Sequence, residues 1–180
     1  MTGRDRHTFT GLYPDAHVAR LADLFAHDTV WQDAMARIRP GAMSAVYFSH
    51  RPGETWHFVK EEQGVRLRPG PAAGPDFAFC FTPGAIDELA AVDGGIDGVA
   101  VVLFDLMLSE DPARRVGFRV LAPFWRLVRH GHLRLLLEAG PRVLAYGAGH
   151  GIRTLGQLRA FVATLRATAP EEVAPHSGGC

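Results

Sequence analysis

Between Asp15 and Arg39 the apolar residues Val18, Leu21, Phe25, Trp31, Met35 and Ile38 recur at spacings of three, four and seven, with one skipped turn. That is the pattern of a helix packed by one face. The skip falls at His27-Asp28-Thr29, where Asp28 is placed to cap a second helix, and Pro40-Gly41 ends the run. The period then drops to two. Ala45–Ser49, Thr55–Lys60 and Val65–Arg68, separated by Arg51-Pro52-Gly53-Glu54 and Gln63-Gly64, predict a meander of three antiparallel strands. Beyond the Pro/Gly stretch 70–75, Asp76–Thr82 predicts a fourth strand. Its Phe77, Phe79 and Phe81 share one face, and Ala78 and Cys80 share the other. Each buried Phe contributes about 1.5–3 kcal/mol, so the aromatic face calls for a thick apolar layer. The small face suits a close-packed element or the border of a cavity.

Thr82-Pro83 opens a helix in good form, with Thr as N-cap and Pro in the first turn, and it stops at Asp93-Gly94-Gly95. Residues 95–109 follow, GIDGVAVVLFDLMLS, in which Asp105 is the only polar side chain between Val99 and Leu108. A helix here is apolar almost all the way round, yet shorter than the roughly 20 residues of a membrane span. Its outer side is covered either by a ligand or partner, or by the helices predicted at Pro123–Glu138 and Thr154–Arg166. Between these, Arg115–Leu121 alternates Val116, Phe118 and Val120 with Gly117 and Arg119 and predicts a fifth strand. The Pro123–Glu138 helix is interrupted or ended near Gly131, with a strand over Leu133–Leu137 as the alternative. Gly140-Pro141 begins another short element, and Leu155, Leu158, Phe161, Val162 and Leu165 give the last helix its apolar face. Strands early and helices late predict an α+β fold, a mostly antiparallel five-stranded sheet with helices packed on one face. Residues 1–13 read as an N-terminal arm, 14–168 as a single domain and 169–180 as a flexible tail.

Composition narrows the function classes. With 47% hydrophobic and 21% charged residues the 180-residue chain is globular. Its 19 basic and 19 acidic residues balance, so no global field draws it to nucleic acid. Lys60 is the only lysine, which fits a coding bias toward Arg, Ala and Gly. The N-terminus shows no apolar segment of a secretory signal. Cys80 and Cys180 make no disulfide framework, and the default expectation is a reducing, cytoplasmic location.

Catalytic motifs are missing. Gly94-Gly95-Ile96-Asp97-Gly98 lacks the spacing and the Lys of a phosphate loop, and no Ser lies in a nucleophile elbow. Among nine histidines, His130 and His132 would point to opposite sides of a helix, and His50 and His57 face each other with no ligands to complete a site. No nucleophile, base and orienting group come together, so no catalytic residue, metal or cofactor is expected.

The meander AVYFSHRPGETWHFVKEEQGVRLRPG, the acidic-led strand DFAFCFT and the helix TPGAIDELAAV resemble the sterol carrier protein 2-like (SCP2-like) lipid-binding domains. In that family such a strand enters a helix of the type Ser/Thr-x-x-x-Leu. The resemblance covers residues 43–138; the insertion GIDGVAVVLFDLMLSEDP and the helices over 139–168 depart from it. It implies a five-stranded sheet with helices on one side, a tunnel between them for lipids or other apolar ligands, and no invariant catalytic residue.

The expectation is therefore a non-catalytic binding or carrier domain for a lipid or other apolar molecule. The expected walls are Phe77, Phe79, Phe81, Val99, Val102, Leu103, Leu106, Phe118, Phe124 and Trp125, with Arg119 or Asp105 orienting the ligand. The alternative is a protein- or membrane-surface module using Arg126, Arg129 and Arg134 beside Phe124, Trp125 and Leu127. An enzyme using a buried Asp105 or the histidines is a third reading. A transient membrane contact and a homodimer stay open.

Overall fold

The computed structural model describes residues 13–93 and 95–138, with isolated positions between 145 and 163. Helices α1 (Ala16–His27) and α2 (Thr29–Met35) open the chain. At the head of α1, Asp15 Oδ1 accepts from the backbone N–H of His17 and Val18 at 2.9 and 3.0 Å. Asp28 does the same for Val30 and Trp31 at 2.9 and 3.2 Å, so the skipped turn is a capped corner between two helices.

The predicted meander follows as β1 (Met43–Phe48), β2 (Trp56–Glu61) and β3 (Gly64–Pro69). Ser44 lies opposite Phe58, and Phe58 opposite Leu67. Residues 70–76 then carry the chain back along the sheet to β4 (Phe77–Phe81), which lies on the other side of β1 and parallel to it. The connection bends as it goes, with Gly70 and Gly74 at φ +97° and +65°, conformations that glycine adopts without strain. Next come α3 (Pro83–Ala90), α4 (Ile96–Leu108), β5 (Val116–Val120), α5 (Phe124–His130) and α6 (His132–Glu138). β5 pairs antiparallel with β4, giving the order β3-β2-β1-β4-β5. The fold is α+β, with a mostly antiparallel five-stranded open sheet containing one parallel pair. Residues 133–137 are helical, not a strand. The short element expected from Gly140-Pro141 lies outside the described residues. Of the helix expected at 154–166, only separate helical positions such as Gln157 and Arg159 are described.

Alternation sends Val46, Phe48, Trp56, Phe58, Leu67, Phe81 and Val116 to one face, where they meet Val18, Leu21 and Phe25 of α1 and Ile86 and Leu89 of α3. A smaller cluster of Val120, Ala122 and Leu127, with Phe77, Phe118 and Phe124, closes the far end of β4 and β5. In α4, Val99 and Leu106 are buried, the neighbouring apolar residues are half-buried, and Asp105 and Leu108 are exposed. This helix packs against α2, α3 and β5. Exposed Asp105 corrects the expectation of a buried carboxylate in that segment. Cys80 is disulfide-bonded. Among the described residues no helix is long and apolar enough to cross a membrane.

Thr82 joins two layers. Its hydroxyl accepts from Ala85 N–H at 3.3 Å, capping α3, and donates to the Arg115 carbonyl at 3.2 Å, just before β5. Thr82→Ala should cost about 1–2 kcal/mol in chemical denaturation, because it uncaps α3 and orphans a carbonyl beside a buried side chain. Thr82→Ser should recover most of the loss.

Candidate functional site

A cavity of about 160 Å³ lies against the aromatic face of β4. Phe77, Phe79, Phe81 and Phe58 form its sheet side; Phe25, Trp31, Met35 and Leu103 of the helices face them; His132 and Leu135 of α6 also line it. Phe79 is central to the wall, 6.0 Å from Phe77, 5.8 Å from Phe81 and 5.3 Å from Phe118 between ring centroids. Such spacings are those of favourable aromatic pairs, so the wall is braced in its own plane. Three polar side chains reach the lining: Ser44, Lys60 and His132.

Beside the cavity stands a fully buried carboxylate. Asp76 immediately precedes β4, and its backbone is held on both sides: its N–H donates to Met43 O at 2.7 Å, and its carbonyl accepts from Leu121 and Ala122 at 2.9 and 3.0 Å. The side chain turns toward α5 and α6. His130 Nδ1 and His132 Nε2 lie 2.5 and 2.9 Å from Oδ2. An ionised carboxylate only accepts, so both rings present N–H there. Arg126 Nε stands 2.9 Å from Oδ1, an ion pair whose geometry leaves that oxygen without a hydrogen bond. Arg126 also donates to the Gly74 carbonyl. Burial pushes the Asp76 pKa up, but hydrogen bonds from His132 and His130 and attraction to those rings outweigh it and hold the carboxyl below its ordinary 3.8.

Gly131 makes this convergence possible. It takes φ +92°, ends α5 and lets α6 start in a new direction, so residues that a continuous helix would hold apart both reach Asp76. It also passes within touching distance of the segment after α2, where a Cβ would stand 2.2 Å from the Arg37 carbonyl oxygen. The expectation that His130 and His132 diverge is corrected by this one left-handed residue. Asp76, His130 and His132 bring three ligand-type atoms within 4.8 Å of one another, close enough for a metal ion. The guanidinium of Arg126 already brings to that carboxylate the positive charge a cation would supply. Asp15, His17 and His50 form a second such group, with Arg51 3.2 Å from Asp15, at the half-exposed cap of α1.

The residues expected to form walls divide. Phe77, Phe79, Phe81 and Leu103 line the cavity. Val99 and Leu106 are buried in the main core, and Val102 packs on it. Phe118 and Phe124 belong to the smaller cluster. Trp125 is 64% exposed, its ring 6.0 Å beneath the Arg159 guanidinium. Arg119 lies opposite Ala78, on the side of the sheet away from Phe118, so neither it nor exposed Asp105 orients a molecule in the cavity. Sequence reasoning missed Lys60, Ser44, His132 and, from α2, Trp31 and Met35 as lining. The strand alternation that put Trp56 and Phe58 inward also put Lys60 inward, and that was the available signal.

No family model matches the chain, and no curated protein matches it. Among solved structures it is similar to a UbiJ-SCP2 ubiquinone synthesis protein, at 14% identity over 66% of this chain and 84% of that chain, with a TM-score of 0.40. That overlap is too small to carry an inference about a ligand.

Gly131→Ala should destabilise the fold by at least about 1–3 kcal/mol from the backbone conformation alone, with the clash at Arg37 adding to it, as measured by denaturant titration. Asp76→Asn should cost about 1.5–3 kcal/mol near neutral pH through its weakened charge-assisted hydrogen bonds. The wild-type contribution of Asp76 is complete above pH 3.8, the unfolded value, and is lost as pH falls through the lower folded value. Asp76→Asn should therefore flatten the acid limb of the stability profile below pH 3.8.

Proposed function

We propose that this domain binds an apolar small molecule in the cavity between the aromatic face of β4 and helices α2, α4 and α6, without transforming it. The observation that carries the reading is the cavity: about 160 Å³, walled by Phe, Trp, Met and Leu side chains. Apolar cavities near 150 Å³ stay dry and take up a benzene-sized molecule. The volume therefore sets the scale of what is enclosed, one ring or a short branched segment. A whole lipid exceeds it, since pockets for larger ligands run to about 300–1,000 Å³. A longer ligand would extend past α6 or require α2 and α4 to part.

A surface-docking role is the second reading, supported by Trp125 at 64% exposure. Arg126, one of the arginines invoked for it, is committed to Asp76, which weakens that reading. Salt-sensitive binding to anionic vesicles would favour it.

Toluene titrated into the protein should move methyl and aromatic resonances of Leu103, Phe79 and Met35. Leu103→Asp should weaken its binding by about tenfold or more, because a carboxylate in an apolar cavity repels the probe and attracts water. Equal binding in a folded Leu103→Asp variant, or no binding to the wild type, would sink the reading.

A further inference from the structure

Lys60 is the only lysine in the chain, and it lies where a lysine is least expected. Strand alternation places it with Trp56 and Phe58 on the core side of β2, where it is 9% exposed and lines the cavity. Its Nζ donates a single hydrogen bond, 3.0 Å to the carbonyl oxygen of Glu61. An ammonium carries three donors, so two are left over. No carboxylate forms an ion pair with it among the described residues. The neighbouring Glu61 points to the opposite face, where Arg66 lies 2.9 Å away and Arg68 is a second partner. A buried charge with no counter-charge is among the most costly things a core can hold. A structural role would be served as well by Met or Leu in this apolar setting.

We propose that Lys60 is the anchor for a ligand carboxylate, and that the cavity takes a monocarboxylic acid with an apolar body the size of one ring. The inference rests on reading the cavity as a ligand site, and it adds the chemical class of the ligand. Charge balance selects the carboxylate: one ammonium neutralises one negative charge. A phosphate dianion would need a second cation, and among the described residues no arginine lines the cavity. His132 is not that second cation, since its Nε2 is spent on Asp76. Ser44 supplies a further donor. It lies opposite Phe58 on β1, diagonal to Lys60 on the same face, and also borders the cavity. The acid's apolar body then rests on Phe58, Phe77 and Phe79, with its head at the Lys60 and Ser44 end of the sheet.

The test uses the full chain with benzoate and toluene as probes of equal ring size, charged and neutral. Because the chain has one lysine, ¹³C-labelled lysine gives one side-chain signal to follow. Benzoate should shift that signal, and Lys60→Met should weaken benzoate binding by about tenfold or more while leaving toluene binding unchanged. If toluene binds but saturating benzoate leaves the lysine signal in place, or binds wild type and Lys60→Met alike, the anchor is overturned and the cavity reading stands. If neither probe binds the wild type, both fall together. Should Lys60→Met fail to fold, the wild-type lysine signal decides alone.

Discussion

Removing the Asp76 carboxylate from water would be prohibitive if four segments did not converge to compensate it. The charge lies at zero exposure. It is balanced by Arg126 from α5 and hydrogen-bonded by His130 and His132 from either side of the Gly131 break. Its own backbone ties β1 to the exit of β5. Each of these groups is placed by another. Gly131 lets α6 turn, the turn brings His132 to the carboxylate, and the carboxylate holds α5 and α6 against the end of β4. Breaking such an arrangement from one side leaves a buried charge uncompensated, which is why its members depend on one another so strongly.

The cavity inherits that dependence. His132 serves both sides: one ring nitrogen meets Asp76, and the ring stands edge-on to Phe77, 4.7 Å between centroids, where it borders the empty space. The end wall is therefore positioned by electrostatics, whereas the sheet wall is positioned by strand alternation. Phe77, Phe79 and Phe81 need no polar help to face inward, because period-two alternation against the buried Val46 and Phe48 of β1 decides it. From α4 a single side chain lines the space among the described residues. Leu103 reaches it, while Val99 and Leu106 turn into the main core.

Most of the fold was legible because it follows from local periodicity. The helix corner at Asp28, the meander, the Thr82 cap and the inward Phe triplet are each set by a few neighbouring residues. The parallel pairing of β1 with β4 was not legible, since a connection of seven residues could have returned to either edge of the meander. The site was legible in part. Alternation announced the aromatic wall, but the apolar run of α4 overstated that helix's share, because nearly uniform hydrophobicity hides which side faces the sheet. The Asp76 network was hidden for a different reason. His130 and His132 were expected on opposite sides of a helix; a break at Gly131 was legible, but not that a single left-handed Gly turns the next helix so that both rings converge. Lys60 was set aside as compositional noise although the strand pattern already placed it indoors.

The sheet order carries a consequence for how the chain reaches its fold. β1, β2 and β3 close through short turns, so their pairing needs little loop entropy and can form early. β4 meets β1 only after the connection over residues 70–76 has crossed the meander, and β5 follows through α3 and α4, so this half is the slower, non-local one. The seam between the two halves runs along the β1–β4 pair, and the cavity lies against it, with Ser44 and Lys60 from the early half and Phe77 and Phe79 from the late one. An occupant bridging that seam would slow unfolding more than it speeds folding, because its contacts exist only once both halves have docked.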